Sequence, residues 1–264
     1  MQIGSMRIWI YGCALLLCAQ LGWAAPTLQW QVAAQYPHDT RHFTQGLELV
    51  NGQLLESTGL YGQSAVYLKE LKTGAVLHQR RLPASWFGEG ITVWGTRALL
   101  LTWREHLAYW LDLSAADPLK PLTPVRYASE GWGATHDETH IITSDGSAEL
   151  RFRNPEDLSV QRIVSVREGQ TPIAKLNELE WVRGEVLANV WETDRIAIIN
   201  PENGQVRAWL DLADLKQRLE KPATWNPVEH VLNGIAFDET SGLLYVTGKC
   251  WPTLFALKVE GIYQ

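Results

Sequence analysis

A chain of 264 residues with 46% hydrophobic content suits one large domain, a size that all-β domains often reach undivided. The formal net charge of −6, with no basic run, argues against nucleic acid and anionic membrane surfaces as partners. Thirteen tryptophans are far more than ordinary usage supplies, and they direct attention to an aromatic-lined pocket.

The chain opens on a secretory pattern. Arg7 gives a positive flank, residues 8–18 form an apolar run, and Gly22, Trp23 and Ala24 lead to small residues. A signal peptide over residues 1–24 is expected, cut after Ala24 or Ala25, with a periplasmic or secreted destination. The apolar run is too short for a confident membrane span, so no membrane association is expected after cleavage. Cys250 is then the one cysteine of the mature chain, which rules out an internal disulfide.

Residues 27–36 (TLQWQVAAQY) read as a strand without a neighbour. After them a phrase recurs five times, each ahead of a new set of strands: FTQGLEL at 43–49, FGEGITV at 87–93, GWGATHD at 131–137, LNELEWV at 176–182 and LNGIAFD at 232–238. Aligned on Gly46, Gly90, Gly133, Leu179 and Gly234, the spacings are 44, 43, 46 and 55 residues. A period of about 40–50 residues with strand patterning predicts a β-propeller, here an all-β fold of five blades in residues 25–264. The fifth unit lacks its outermost strand, and residues 27–36 are expected to supply it and close the ring. One insertion breaks the pattern. Residues 212–220 (LADLKQRLE) carry leucine at 212, 215 and 219, the spacing of a short helix, which is expected to lie over one end of the ring.

The repeat explains its glycines and apolar residues but not its exceptions. Gln45, Glu89, Trp132 and Asn177 occupy matching places, and equivalent strand ends of a propeller meet at one mouth of the channel. Trp103, Trp191 and Lys249 follow at the next strand, 13, 12 and 15 residues after their blade markers. Each residue also has a structural reading: an amide bonding a neighbouring blade, a solvated acid or lysine, an indole packed between blades. A near-axial acid is costly unless used or paired, which favours a functional Glu89. His136 and His140 are spaced i, i+4, but their context is strand–turn–strand and the acid between them is misplaced for HExxH, so metal binding is not expected there.

Taken together, FTQGLEL, FGEGITV, LTW, GWG, LNELEWV, ANVWETDRIAIINP, LNGIAFD and TGKCWP resemble the plant- and bacterial-type glutaminyl cyclases over residues 36–259. The resemblance implies a five-bladed propeller. It also implies conversion of an N-terminal Gln of peptides or proteins to pyroglutamate with release of ammonia, without metal or other cofactor. It carries catalytic roles onto Glu89, Lys249, Asn177 and Gln45, and substrate-binding roles onto Phe43, Trp103, Trp132 and Trp191. Cys250, where plant members tend to have an aliphatic residue, and the segment ATHDETH depart from the family pattern without touching those positions. A monomer is expected. Two other readings compete. One is a non-catalytic propeller whose tryptophans bind peptide or glycan. The other is a calcium-dependent hydrolase, for which the phrases offer Glu89, Glu178, Glu180, Asp137 and Asp238, most of them facing away by strand alternation.

Overall fold

A computed structural model describes residues 24–114 and 117–262. Residues 1–23, which hold most of the expected signal peptide, lie outside the described residues. Five four-stranded antiparallel sheets follow one another along the chain. Blade 1 comprises Thr44–Val50, Gln53–Thr58, Ala65–Glu70 and Val76–Arg81, and blade 2 comprises Gly88–Trp94, Arg97–Thr102, Leu107–Asp112 and Lys120–Arg126. Blade 3 comprises Ala134–His136, Ile141–Thr143, Glu149–Arg153 and Val160–Ser165, and blade 4 comprises Leu176–Val182, Glu185–Val190, Arg195–Ile199 and Val206–Asp211. Blade 5 has Leu232–Asp238, Leu243–Gly248 and Thr253–Val259, and its outer strand is the N-terminal Trp30–Pro37, antiparallel to Thr253–Val259. Ahead of that strand, the N–H of Leu28 bonds to the carbonyl of Trp209, so the segment laces blade 4 to blade 5.

Apolar patterning explains why the sheets form a ring. In Arg97–Thr102, Ala98 and Leu100 pack towards blade 1 while Leu99 and Leu101 pack towards blade 3. A strand buried on both faces therefore reads as a continuous apolar run. Each pair of neighbours shares one such cluster, including Leu47 and Leu54 of blade 1 against Ala236 and Tyr245 of blade 5, which joins the last blade to the first. The phrase glycines sit where innermost strands approach most closely. A Cβ on Gly133 would lie 1.9 Å from the carbonyl oxygen of Asn177, and one on Gly90 would lie 2.5 Å from the nitrogen of Ala134.

The helix spans only Ala213–Gln217. Leu212, Leu215 and Leu219 are buried in the cluster between blades 4 and 5, so the helix plugs the side of the ring and does not cap a mouth. A small hairpin, Arg167–Glu168 with Thr171–Pro172, also joins blades 3 and 4.

Carboxyl groups stitch the innermost strands together, and they include Glu178 and Glu180, so fewer of the phrase acids face away than strand alternation suggests. Glu178 accepts the N–H of Leu47 at 3.2 Å and of Ile235 at 2.8 Å, tying blade 4 to blades 1 and 5. Glu180 accepts from Phe237 at 2.7 Å, and Glu48 accepts from Val93 at 2.7 Å, tying blade 1 to blade 2. These N–H groups have no ladder partner at the ring interior, and buried donors require an acceptor. Burial pushes Glu178 and Glu180 well above the ordinary glutamate value, and Glu48 up to about 8. A carboxyl whose folded pKa is raised stabilises the fold fully below its unfolded pKa and loses that contribution as pH rises through the folded value. The urea midpoint is therefore expected to fall between pH 4.5 and about 8, and to fall less steeply in Glu48→Gln. An unchanged slope in that variant would contradict the assignment.

Candidate active site

The antiparallel hairpins bring the start of each innermost strand beside the end of the second strand. Thr44 pairs with Thr58, Gly88 with Thr102, Leu176 with Val190 and Leu232 with Gly248. One further backbone bond then repeats. The N–H groups of Gly59, Trp103, Trp191 and Lys249 bond to the carbonyls of Phe43, Phe87, Lys175 and Val231. It fixes the second ring of residues against the first. After three of these positions the chain turns through a left-handed residue: Leu60 (φ 81°), Glu192 (φ 65°) and Cys250 (φ 58°). Side chains other than glycine seldom adopt that conformation, and such residues cluster at functional sites.

All eight residues singled out in the sequence line one cavity of about 390 Å³ at this mouth: Phe43, Gln45, Glu89, Trp103, Trp132, Asn177, Trp191 and Lys249. Leu60, Phe87, Glu192, Val228 and Glu229 complete its wall. Phe87 was legible, since it stands where Phe43 stands in the neighbouring phrase. Val228 and Glu229 come from the segment between the helix and blade 5, beyond the 212–220 insertion.

Glu89 and Lys249 are both buried. Burial raises Glu89 well above the ordinary glutamate value, against the pull of the Lys249 charge and a hydrogen bond from Gln45. Burial also lowers Lys249, to about 8, although Glu89 opposes the shift. Each group is moved towards its neutral form because neither is solvated. The Lys249 ammonium lies 4.7 Å from the centroid of the Phe43 ring, a cation–π distance. Gln45 is held in one orientation: its Oε1 accepts from Asn233 Nδ2 at 3.3 Å, which turns its NH₂ towards Glu89. Asn233 itself is anchored on the carbonyl of Thr44 at 2.9 Å. It stands in the fifth phrase where Asn177 stands in the fourth, and that match is the signal by which it was legible. Asn177 lines the cavity, and its side-chain Oδ1 is buried without a hydrogen-bond partner among the described residues.

The aromatic wall is edge-packed. Trp132 and Trp191 meet at 5.5 Å and 86°, and Phe87 meets Trp103 at 5.4 Å and Phe43 at 6.3 Å. Such contacts give the cavity stiff faces.

Other ionisable groups lie elsewhere. His136 bonds to Thr92 at 2.9 Å while His140 bonds to Asp137 at 3.1 Å, so the two histidines do not converge. His136 lines a second cavity of about 420 Å³ with Trp94, Asp137, Glu138 and Trp181, whose strand positions place it towards the opposite mouth. His38, His42 and Glu56 bring three ligand atoms within 4.8 Å of one another. Lys69 already places a cation there, 2.5 Å from Glu56. With Thr44 also bonded to Glu56 at 2.8 Å, this buried cluster buttresses the strand that carries Gln45.

Known proteins resemble the chain along most of its length. Residues 10–259 match the family described as glutamine cyclotransferase. A glutaminyl-peptide cyclotransferase of Arabidopsis thaliana is 38% identical over 231 residues, covering 87% of this chain and 71% of the plant protein. The crystal structure of Myxococcus xanthus glutaminyl cyclase superposes with a TM-score of 0.81 at 32% identity, covering 89% of this chain and 98% of the other. With a five-bladed ring, a pocket at one mouth and a family match along nearly its whole length, the chain belongs to the glutamine cyclotransferase family.

Proposed function

We propose that the pocket cyclises the N-terminal Gln of peptides and proteins by acid–base catalysis on Glu89. The observation that carries this reading is a buried carboxyl and a buried amine, each shifted towards neutrality, facing one indole-walled cavity. The α-amine nitrogen of the substrate attacks the Cδ of its own side-chain carboxamide. A new N–Cδ bond closes the five-membered lactam, the Cδ–NH₂ bond breaks, and the nitrogen departs as ammonia. Glu89 takes the proton that the attacking amine loses and returns it to the leaving nitrogen. A free α-amine has a pKa of about 7.7–8.0, so a carboxyl raised by burial exchanges a proton with it at little cost.

The tetrahedral oxygen needs a donor, and the Lys249 ammonium supplies charge as well as N–H. Gln45, fixed by Asn233, donates to the Glu89 carboxylate and keeps it aimed. Asn177, at the cavity wall, offers its amide N–H as a second donor to the tetrahedral oxygen. Trp103, Trp132 and Trp191 fold the flexible Gln side chain towards its amine, exchanging rotational freedom for proximity. No step calls for a metal.

Attack by the substrate's own amine separates this reading from amide hydrolysis. Gln-Ala is expected to release ammonia and leave a pyroglutamyl product, while N-acetyl-Gln-Ala releases none. Ammonia from the acetylated peptide at a comparable rate would point to a hydrolase and overturn the proposal.

A further inference from the structure

Glu130 belongs to none of the phrases and does not line the cavity, yet it touches two of the three tryptophans that do. It lies between the last strand of blade 2 and Trp132. Its Oε2 accepts the indole Nε1–H of Trp103 at 2.9 Å and that of Trp132 at 3.1 Å. Its Oε1 accepts from Arg104 Nε at 3.1 Å, and the Arg104 guanidinium in turn stacks 3.8 Å from the Trp103 ring. Trp132 meets Trp191 edge to face. One carboxylate thus fixes indoles from two different blades and, through Trp132, bears on the third.

We propose that Glu130 is a positioning residue for substrate capture: it clamps Trp103 and Trp132 at the angle that receives the Gln side chain and keeps a fixed negative charge near Glu89. An indole N–H can only donate, and a single acceptor shared by two indoles couples their orientations. A neutral amide oxygen could still accept both indoles, but its NH₂ would face Arg104 donor to donor, whereas an ionised carboxylate accepts from all three more strongly. Burial pushes the Glu130 carboxyl up, but the two indole bonds and Arg104 outweigh it and hold it below the ordinary glutamate value, so it is ionised at neutral pH. Several groups act on Glu89: burial raises it, Lys249 and the Gln45 bond lower it, and Glu105 and Glu130 raise it.

This inference rests on the cyclisation reading, and its test has one arm that does not. In protein labelled with ¹⁵N at tryptophan, two indole resonances are expected to move together as Glu130 titrates, with a midpoint below the ordinary glutamate value. In Glu130→Gln both are displaced and neither shows that titration. In the kinetic arm, Glu130→Ala raises KM for Gln-Ala about tenfold, the equivalent of one or two ordinary hydrogen bonds, with a smaller change in kcat. Glu130→Gln retains part of that affinity. In both variants the acid limb of kcat/KM moves to lower pH, because a negative neighbour of Glu89 is gone. Unchanged KM and an unchanged acid limb in both variants would overturn the proposal, as would indole resonances indifferent to Glu130. Should the wild type fail to turn over Gln-Ala, the cyclisation reading falls, and the resonance arm still decides whether Glu130 clamps the indoles.

Discussion

Glu89→Gln is expected to lower kcat on Gln-Ala by about 10²- to 10⁴-fold, the usual worth of a positioned acid–base group. The substitution keeps the shape of the side chain and removes only its ability to accept and return a proton. The first phrase tests whether that loss is chemical. Gln45 donates to the Glu89 carboxylate and is held by Asn233, so the new amide at position 89 still offers Gln45 an oxygen. The pocket is then expected to remain assembled, with KM changed much less than kcat. Circular dichroism should match the wild type and the urea midpoint should be no lower, since burial disfavours the charged form of Glu89 and a neutral amide removes that penalty.

Lys249→Met is expected to cost about 10²- to 10³-fold in kcat, the loss typical of an oxyanion donor. It should also alter the pH profile in a defined way. In the wild type the cation is needed, and burial holds Lys249 at about 8, so activity falls as pH rises through that value. In the variant this alkaline fall disappears. At the same time the acid limb moves to higher pH, because the Lys249 charge that pulls Glu89 down has been removed. A variant with the wild-type alkaline limb would show that another group is responsible for it.

Much of this site was legible because the propeller converts sequence period into spatial proximity. Gln45, Glu89 and Asn177 each stand second in an innermost strand, and Trp103, Trp191 and Lys249 each follow a second strand. A matching place in the repeat is a matching place around the mouth. What escaped notice lies where that rule does not reach. Glu130 sits outside any strand and acts through the far ends of two indoles, so no periodicity marks it. Alternation alone leaves most of the phrase acids facing away and does not mark Glu178 and Glu180 as exceptions. The pairing of their strand with the next shifts register between Leu176 and Leu179, and both carboxyls turn to the neighbouring innermost strands. The leucines of the insertion gave the right apolar face, but five residues of helix packed on blades 4 and 5 cannot cover a mouth. The pocket residues Val228 and Glu229 come from the following stretch, which carries no periodic signal.

The central claim is that Glu89, without a metal, carries the cyclisation. The most direct measurement is ammonia release from Gln-Ala by wild type and Glu89→Gln, each stripped with chelator beforehand. Full wild-type activity is expected after stripping, with the variant slower by at least about 10²-fold. A Glu89→Gln enzyme working at the wild-type rate, or a wild type silenced by the chelator and restored by a metal ion, would contradict it.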